Sequence, residues 1–263
     1  MNRLSVLMPS WKGPELLKFS IPAFIRACKE DTKLYVVLND ADKESIELCQ
    51  AYDVEFIALK ENWGTLGVDF FLPTLNCEAV GQINSDMIPS EGWDTNLLKI
   101  LKENGPCSVS TQLVEPYGTH NPLVYVDNLG EFSLSLEFKF QENYRNGQYN
   151  RDTVVGYNHP IIVTLEDYKK VGGYSNNFDA RFRPLCYGLD DHYAWRLRQL
   201  HPNFQFIASG KDFVYHCISA TNNKFDKNYR DSNNGMNHFQ HDSGMTLWGF
   251  RNSVNAFSKV EVK

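Results

Sequence analysis

Apolar positions along the first third of the chain alternate between two periods. Leu4 to Met8, Leu34 to Leu38, Val54 to Ala58 and Glu78 to Ile83 are short runs of strand character. Between the first two, Leu16, Leu17, Phe19, Ile21, Phe24 and Ile25 recur at helical spacing, with Pro22 expected to kink or split the helix. Residues 42–51 read as a second helix, and the loop Asn62-Trp63-Gly64 leads into a third that Pro73 should break. Pro9 should stop the first strand. Strand and helix in alternation predict parallel pairing, with helices on both faces of the sheet.

The second half is less regular. Trp93 to Leu101 reads as a helix ended near Gly105, and Ser108 to Val114 as a strand. Glu115 to Tyr157 reads as strand fragments and turns. Ile161 to Val163 is a strand, and Thr164 opens a short helix that Gly172-Gly173 stops. Leu189 to Leu200 is a helix, Phe204 to Ala208 and Phe213 to Tyr215 are strands, and 244–257 closes the chain as a helix. The Asn-, Asp- and Ser-rich stretch 219–243 has few apolar anchors and is expected to be a mobile loop that closes over a ligand.

At 263 residues with 42% hydrophobic content, one large domain can bury a substantial core. The expected division is 1–88 as a nucleotide-binding half, 89–218 as an acceptor-side half and 219–263 as a flexible segment with a helix. A net charge of −6 argues against a generally basic nucleic-acid binder. Six scattered cysteines without a C-x-x-C pair, no signal-peptide pattern and no membrane-length apolar run make a cytoplasmic protein the expectation.

In a sheet of this kind ligands gather beyond the carboxyl ends of the strands. That places Pro9-Ser10-Trp11, Asn39-Asp40, Asn62-Trp63-Gly64 and Asn84-Ser85-Asp86 at one rim, the first three suited to a nucleoside and the fourth to a diphosphate. Asp86 at a strand end can hold a hard divalent cation; Asp42 is better placed to cap the helix that follows it. His216, at the polar end of Phe213 to Tyr215, becomes a metal candidate alongside Asp86. Asp190 and Asp191 open a helix whose dipole favours ionised carboxylates, and an ionised carboxylate can take a proton from a hydroxyl. The chain has no G-x-G-x-x-G, Walker A, G-x-S-x-G or H-E-x-x-H motif.

These segments, in this order, resemble family-2 glycosyltransferases of the GT-A fold. Ser5-Val6-Leu7-Met8-Pro9-Ser10-Trp11 is similar to the family's opening strand, Val36 to Asp40 to its second, and Asn62-Trp63-Gly64 to its N-x-G loop. Asn84-Ser85-Asp86 is similar to its D-x-D motif, with Asn in the first place. Gly172-Gly173-Tyr174 with Phe178-Asp179 resembles the acceptor-side segment. Tyr187-Gly188-Leu189-Asp190 with Arg196-Leu197 resembles the segment that carries the base, and Leu189 stands where the family has Glu. Val214-Tyr215-His216 resembles the late histidine of the metal site.

The resemblance implies a mostly parallel α/β sheet and an inverting transfer from a nucleotide sugar, by family habit a UDP-sugar, with Mn²⁺ or Mg²⁺. It puts the general base at Asp190, metal ligands at Asp86 and His216, and acceptor-side residues at Gly173, Tyr174 and Asp191. The acceptor hydroxyl is open: a glycan and a hydroxymethylated DNA base are both conceivable. Two other classes stay in view, a catalytically silent carbohydrate- or nucleotide-binding relative and a sugar-1-phosphate nucleotidyltransferase.

Overall fold

A computed structural model describes residues 2–117, 124–174, 189–217, 240–241 and 243–254. Among them one ten-stranded sheet runs through the molecule. Strands β1 (Asn2–Trp11), β2 (Thr32–Asn39), β3 (Glu55–Ala58) and β4 (Cys77–Gln82) lie in the order β3-β2-β1-β4 and pair in parallel. Helices α1 (Pro14–Ala27) and α2 (Lys43–Ala51) connect them, with a three-ten segment, Gly64–Thr74, before β4. The order then continues β9-β6-β10-β5. Here β5 is Met87–Pro89, β6 Cys107–Glu115, β9 Ile161–Thr164 and β10 Gln205–His216. Short strands β7 (Val124–Val126) and β8 (Val154–Val155) pair with β6 and β10.

Strand β9 runs antiparallel to both β4 and β6, and β10 runs parallel to β6. The carboxyl ends of β1, β2, β4, β6 and β10 therefore share one rim. The residues that enter β9 and β5 share it too, because those strands run the other way. A Cβ on Gly81 would stand 2.8 Å from Ile162 Cγ2, so a larger residue there would push β9 off β4.

Alternate residues face opposite layers, as both-face burial requires. Val6, Met8, Val36 and Leu38 pack with Leu17, Ile21 and Phe24 of α1 and with Trp93 and Leu97 of α3 (Trp93–Glu103). On the other face Leu7, Val37 and Val80 pack with the three-ten segment, with Tyr168 of α5 (Leu165–Val171), with Tyr193 and Leu197 of α6 (Leu189–Leu200), and with Phe250 of α7 (Leu247–Ser253). A third cluster joins Leu136 and Phe140 of α4 (Leu134–Arg145) to Tyr149, Phe213 and Tyr215. Each such buried aliphatic or aromatic side chain stabilises by about 1.5–3 kcal/mol.

Several boundaries differ from the sequence reading. Strand β1 continues through Pro9 to Trp11, since its β4 partner ends at Leu7 and the missing N–H faces no ladder there. Helix α1 stays continuous across Pro22, whose neighbours Ile21, Ala23 and Phe24 are buried. The segment before Pro73 is three-ten and not α-helical. The two late strands are one, β10, with a register irregularity between Ala208 and Phe213 where Asp212 accepts from Ser209 Oγ and Asn96 Nδ2. Helix α4 replaces expected strand fragments. Leu134, Leu136, Phe138 and Phe140 alternate like a strand, but the helix buries only Leu136 and Phe140 and leaves Leu134 and Phe138 46% and 63% exposed. The expected lid, 219–243, falls almost wholly outside the described residues, as do Phe178-Asp179 and Tyr187-Gly188.

Asp94 fastens the connection from α1 to β2. Fully buried at the start of α3, its carboxylate accepts from the backbone N–H of Lys29, Glu30 and Thr95 and from Thr32 Oγ1, at 2.8–3.0 Å. Asp94→Ala should leave several of these donors without a partner and lower stability by about 3 kcal/mol. Urea denaturation with an unchanged slope would register the loss as a shifted midpoint; an unmoved midpoint would contradict it.

Candidate active site

At the metal-candidate corner, Asp86 ends the turn after β4 and His216 ends β10. Cys217 N–H donates to the Asp86 carbonyl at 2.9 Å, and His216 pairs in register with Met87. These backbone links bring Asp86 Oδ1 within 3.7 Å of His216 Nε2. Glu115, the last residue of β6, takes His216 Nδ1 at 2.8 Å. A carboxylate only accepts, so Nδ1 carries the proton and Nε2 is the nitrogen turned to Asp86. Burial pushes the Asp86 carboxyl above its usual range despite the nearby imidazole of His216. Burial acts to lower the His216 imidazole, but Asp86 and Glu115 outweigh it and raise it.

This donor set fits a divalent cation. Two ligands on one cation stand 3–4 Å apart, and the Glu115–His216 pair is the outer hydrogen bond that such histidines use. No group of three or more His, Cys, Asp or Glu is arranged to hold a metal among the described residues. A cation here would therefore need oxygens from a ligand, as Mg²⁺ and Mn²⁺ at phosphate sites do.

Asp190 lies in the first turn of α6, its side chain 49% exposed. One oxygen, Oδ1, meets His159 Nε2 at 3.0 Å. Burial acts to raise its carboxyl, but His159 and Arg251 outweigh it and hold it below the usual range. Asp191 is turned the other way and 3% exposed. It takes Nε and Nη2 of Arg251 at 2.8 and 2.9 Å and the hydroxyl of Tyr157 at 2.7 Å. Arg251 is thus engaged by Asp191.

The nucleoside-candidate residues divide into clamps and open groups. Asn39 is buried and uses both ends of its amide, donating to the Gly64 carbonyl at 3.1 Å and accepting from Trp63 N–H at 2.9 Å. Asn62 Oδ1 accepts from Gly64 N–H at 2.8 Å, and Trp63 lies edge-on to Phe70. Asp40 and Lys12 both have positive φ, 46° and 45°, and pair at 2.5 Å. Asp42 caps α2 through Ser45 N–H at 2.8 Å. Asn84 and Ser85 form the turn before Asp86, closed by Met87 N–H on the Asn84 carbonyl. Pro9, Ser10 and Trp11 end β1. Among the described residues, Ser10 Oγ, both ends of the Gln82 amide and Glu115 Oε2 are buried without a hydrogen-bond partner.

Gly173 and Tyr174 follow α5. A Cβ on Gly173 would meet Asp69 Oδ1 at 2.1 Å, and its φ is 64°. Tyr174 is buried and stacked on Tyr193 at 4.4 Å. His159 and Glu115 are site residues that sequence reasoning missed. Glu115 was findable as a polar residue ending a buried strand; His159 was not, because only the reversed course of β9 brings it to the rim.

No protein-family model and no curated protein matches this sequence. Solved structures do. S. aureus TarS 1-349 in complex with UDP superposes with a TM-score of 0.59 at 10% identity, over 82% of this chain and 60% of that one. The mannosyltransferase PcManGT from Pyrobaculum calidifontis, in complex with GDP-Man and Mn²⁺, superposes with a TM-score of 0.57 at 13% identity, over 84% and 58%. The chain thus spans less than two thirds of the length of either protein. At these identities the likeness is one of fold: the chain has the mixed α/β fold of these glycosyltransferases.

Proposed function

We propose that this chain transfers a glycosyl group from a nucleotide sugar to an acceptor hydroxyl, with inversion, as a family-2 glycosyltransferase of the GT-A type. The observation that carries the reading is the pairing of Asp86 Oδ1 with His216 Nε2 at 3.7 Å, at the rim that also holds Asp190. The fold likeness to proteins solved with UDP and with GDP-Man and Mn²⁺ supports a nucleotide-sugar donor, with UDP the expected carrier.

Asp86 and His216 would hold Mn²⁺ or Mg²⁺. Bound there, the cation supplies positive charge against the leaving diphosphate. The ends of β1 and β2, with the loop clamped by Asn39 and Asn62, would seat the nucleoside. Asp190 would take the proton of the acceptor hydroxyl as its oxygen attacks the anomeric carbon. The new C–O bond forms as the bond to the diphosphate breaks, and that bond's electron pair leaves with the phosphate oxygen. One carboxylate on the attacking side suits inversion, and Asp190 is the member of its pair with an open edge, since Asp191 is held by Arg251 and Tyr157. No helix among the described residues is long and apolar enough to cross a membrane.

Two measurements test this. In calorimetry with UDP and with GDP, one of them should bind in Mn²⁺ and lose most of its affinity in excess EDTA or in Asp86→Ala. Undiminished affinity without metal would remove the role given to Asp86 and His216. In a panel of nucleotide sugars, Asp190→Asn should lower turnover of the accepted donor by about 10²–10⁴-fold with nucleotide affinity nearly intact. Near-normal turnover in Asp190→Asn, with loss in Asp191→Asn, would shift the base by one residue.

A further inference from the structure

His159 stands out because it faces Asp190 from a different part of the chain. It precedes β9 by one residue, Pro160, and its side chain is 9% exposed. Its backbone is fixed to β6: Thr111 Oγ1 donates to the His159 carbonyl at 3.3 Å, and Thr111 N–H donates to the Pro160 carbonyl at 3.3 Å. The ring spans from β4 to α6. Nδ1 faces the Gln82 carbonyl at 3.4 Å, and Nε2 faces Asp190 Oδ1 at 3.0 Å.

The proton inventory of this arrangement is constrained. A backbone carbonyl only accepts, so Nδ1 carries a proton. Nε2 then meets the carboxylate in one of two ways. Either a second ring proton donates to an ionised Asp190, or a neutral ring accepts from a protonated Asp190. The start of α6 and the nearby guanidinium of Arg251 both favour the ionised carboxylate. The ring is then an imidazolium that donates to the carbonyl and to Oδ1. Among the described residues Asp190 makes no other hydrogen bond, and half of its side-chain surface is open.

We propose that His159 is the positioning residue of Asp190: it grips Oδ1 from the interior so that Oδ2 faces the acceptor hydroxyl. The inference rests on the reading of Asp190 as the base and deepens it. The ring lies on the buried side of the carboxylate, so the acceptor meets Asp190 and not the histidine. The imidazolium also keeps the carboxylate ionised down to lower pH, so that the acid limit of turnover lies at lower pH than an unassisted carboxylate would give. The titratable and charged groups facing this pair are Asp86 and His216 from the metal-candidate corner, Tyr174 after α5 and Arg251 from α7. A buried histidine held only for packing would need a donor site for one nitrogen. Here both nitrogens are assigned, and the second partner is the carboxylate at the open face.

The test uses the whole chain in two readouts. Histidine-detected NMR titration of the intact protein follows the His159 ring without any donor. The ring should stay doubly protonated above the ordinary range of imidazole, and Asp190→Asn should lower its titration midpoint. A ring that titrates at the same pH in both proteins would overturn the inference even if no activity were found. The second readout is hydrolysis of UDP-glucose or GDP-mannose in Mn²⁺, whichever the wild type accepts, measured as nucleoside diphosphate released against pH.

His159→Phe should lower kcat roughly ten- to a hundredfold, as losing an orienting partner does, with nucleoside diphosphate affinity unchanged. In His159→Gln, which keeps a donor without the charge, part of the rate should return and the acid limb should move to higher pH. A structural role would lower stability and leave that limb in place. If Asp190→Asn is inactive while His159→Gln matches the wild type in rate and pH profile, the inference fails and the base assignment stands. If Asp190→Asn itself keeps full turnover, both fall together.

Discussion

Strand β9 runs against its neighbours between β4 and β6, and the candidate site depends on that reversal. A parallel strand delivers the residue that leaves it to the carboxyl rim; a reversed strand delivers the residue that enters it. Ile161 therefore lies beside Gln82 and Ser110, and His159 arrives at the rim two residues earlier. Strand β5 repeats the device. Because it pairs antiparallel with β10, the chain entering it, Asp86, meets the chain leaving β10, His216. Two reversals in one sheet thus supply half of each of the two polar pairs at the rim.

Those pairs alternate in charge and lie mostly out of water, apart from the open edge of Asp190. Glu115 backs His216, which faces Asp86; His159 faces Asp190, with Arg251 beyond it holding Asp191. Opposite unit charges 4 Å apart interact by about 4 kcal/mol at an effective dielectric near 20. That is enough to decide ionisation, since one pKa unit corresponds to about 1.4 kcal/mol. It explains how buried His159 and partly buried His216 stay inclined to protonation, against the desolvation that acts to discharge them. It also separates the two carboxylates of α6. Asp191 is consumed by a bidentate guanidinium and a phenol. Among the described residues Asp190 is held at one oxygen only.

The sequence made much of the frame legible. The strand-helix alternation of 4–83 is local information, and the structure keeps its strands and first two helices within a few residues, down to Asp42 capping α2. The failures have physical causes. Leu134 to Phe140 carries a two-residue alternation that reads as strand, and only the third hydrophobic cluster shows why a helix that buries Leu136 and Phe140 wins. Strand direction is not written in local periodicity, so the contribution of His159 stayed hidden. Side-chain spending is tertiary as well. Asn39 and Asp191 look like free polar groups in the sequence, but their hydrogen bonds go to Trp63 and Gly64 and to Arg251 and Tyr157.

The distinction between spent and unspent polar groups points to the rim without any appeal to likeness. Strand β1 carries Ser10 next to its last residue, β4 ends in Gln82 and β6 ends in Glu115. All three are at least 95% buried, and each holds a side-chain N or O with no hydrogen-bond partner among the described residues. A buried polar atom without a partner costs about 1–3 kcal/mol. Among the described residues such atoms also occur in the core, at Ser108 Oγ and on the stacked rings of Tyr174 and Tyr193. At the rim they line the ends of strands that lie in the order β1-β4-β9-β6, beside the Asp86–His216 pair. A polar molecule bound along this row would supply those partners. A ligand that reaches from Ser10 to Glu115 crosses several strand spacings of about 4.8 Å, a reach consistent with the nucleotide sugar proposed above.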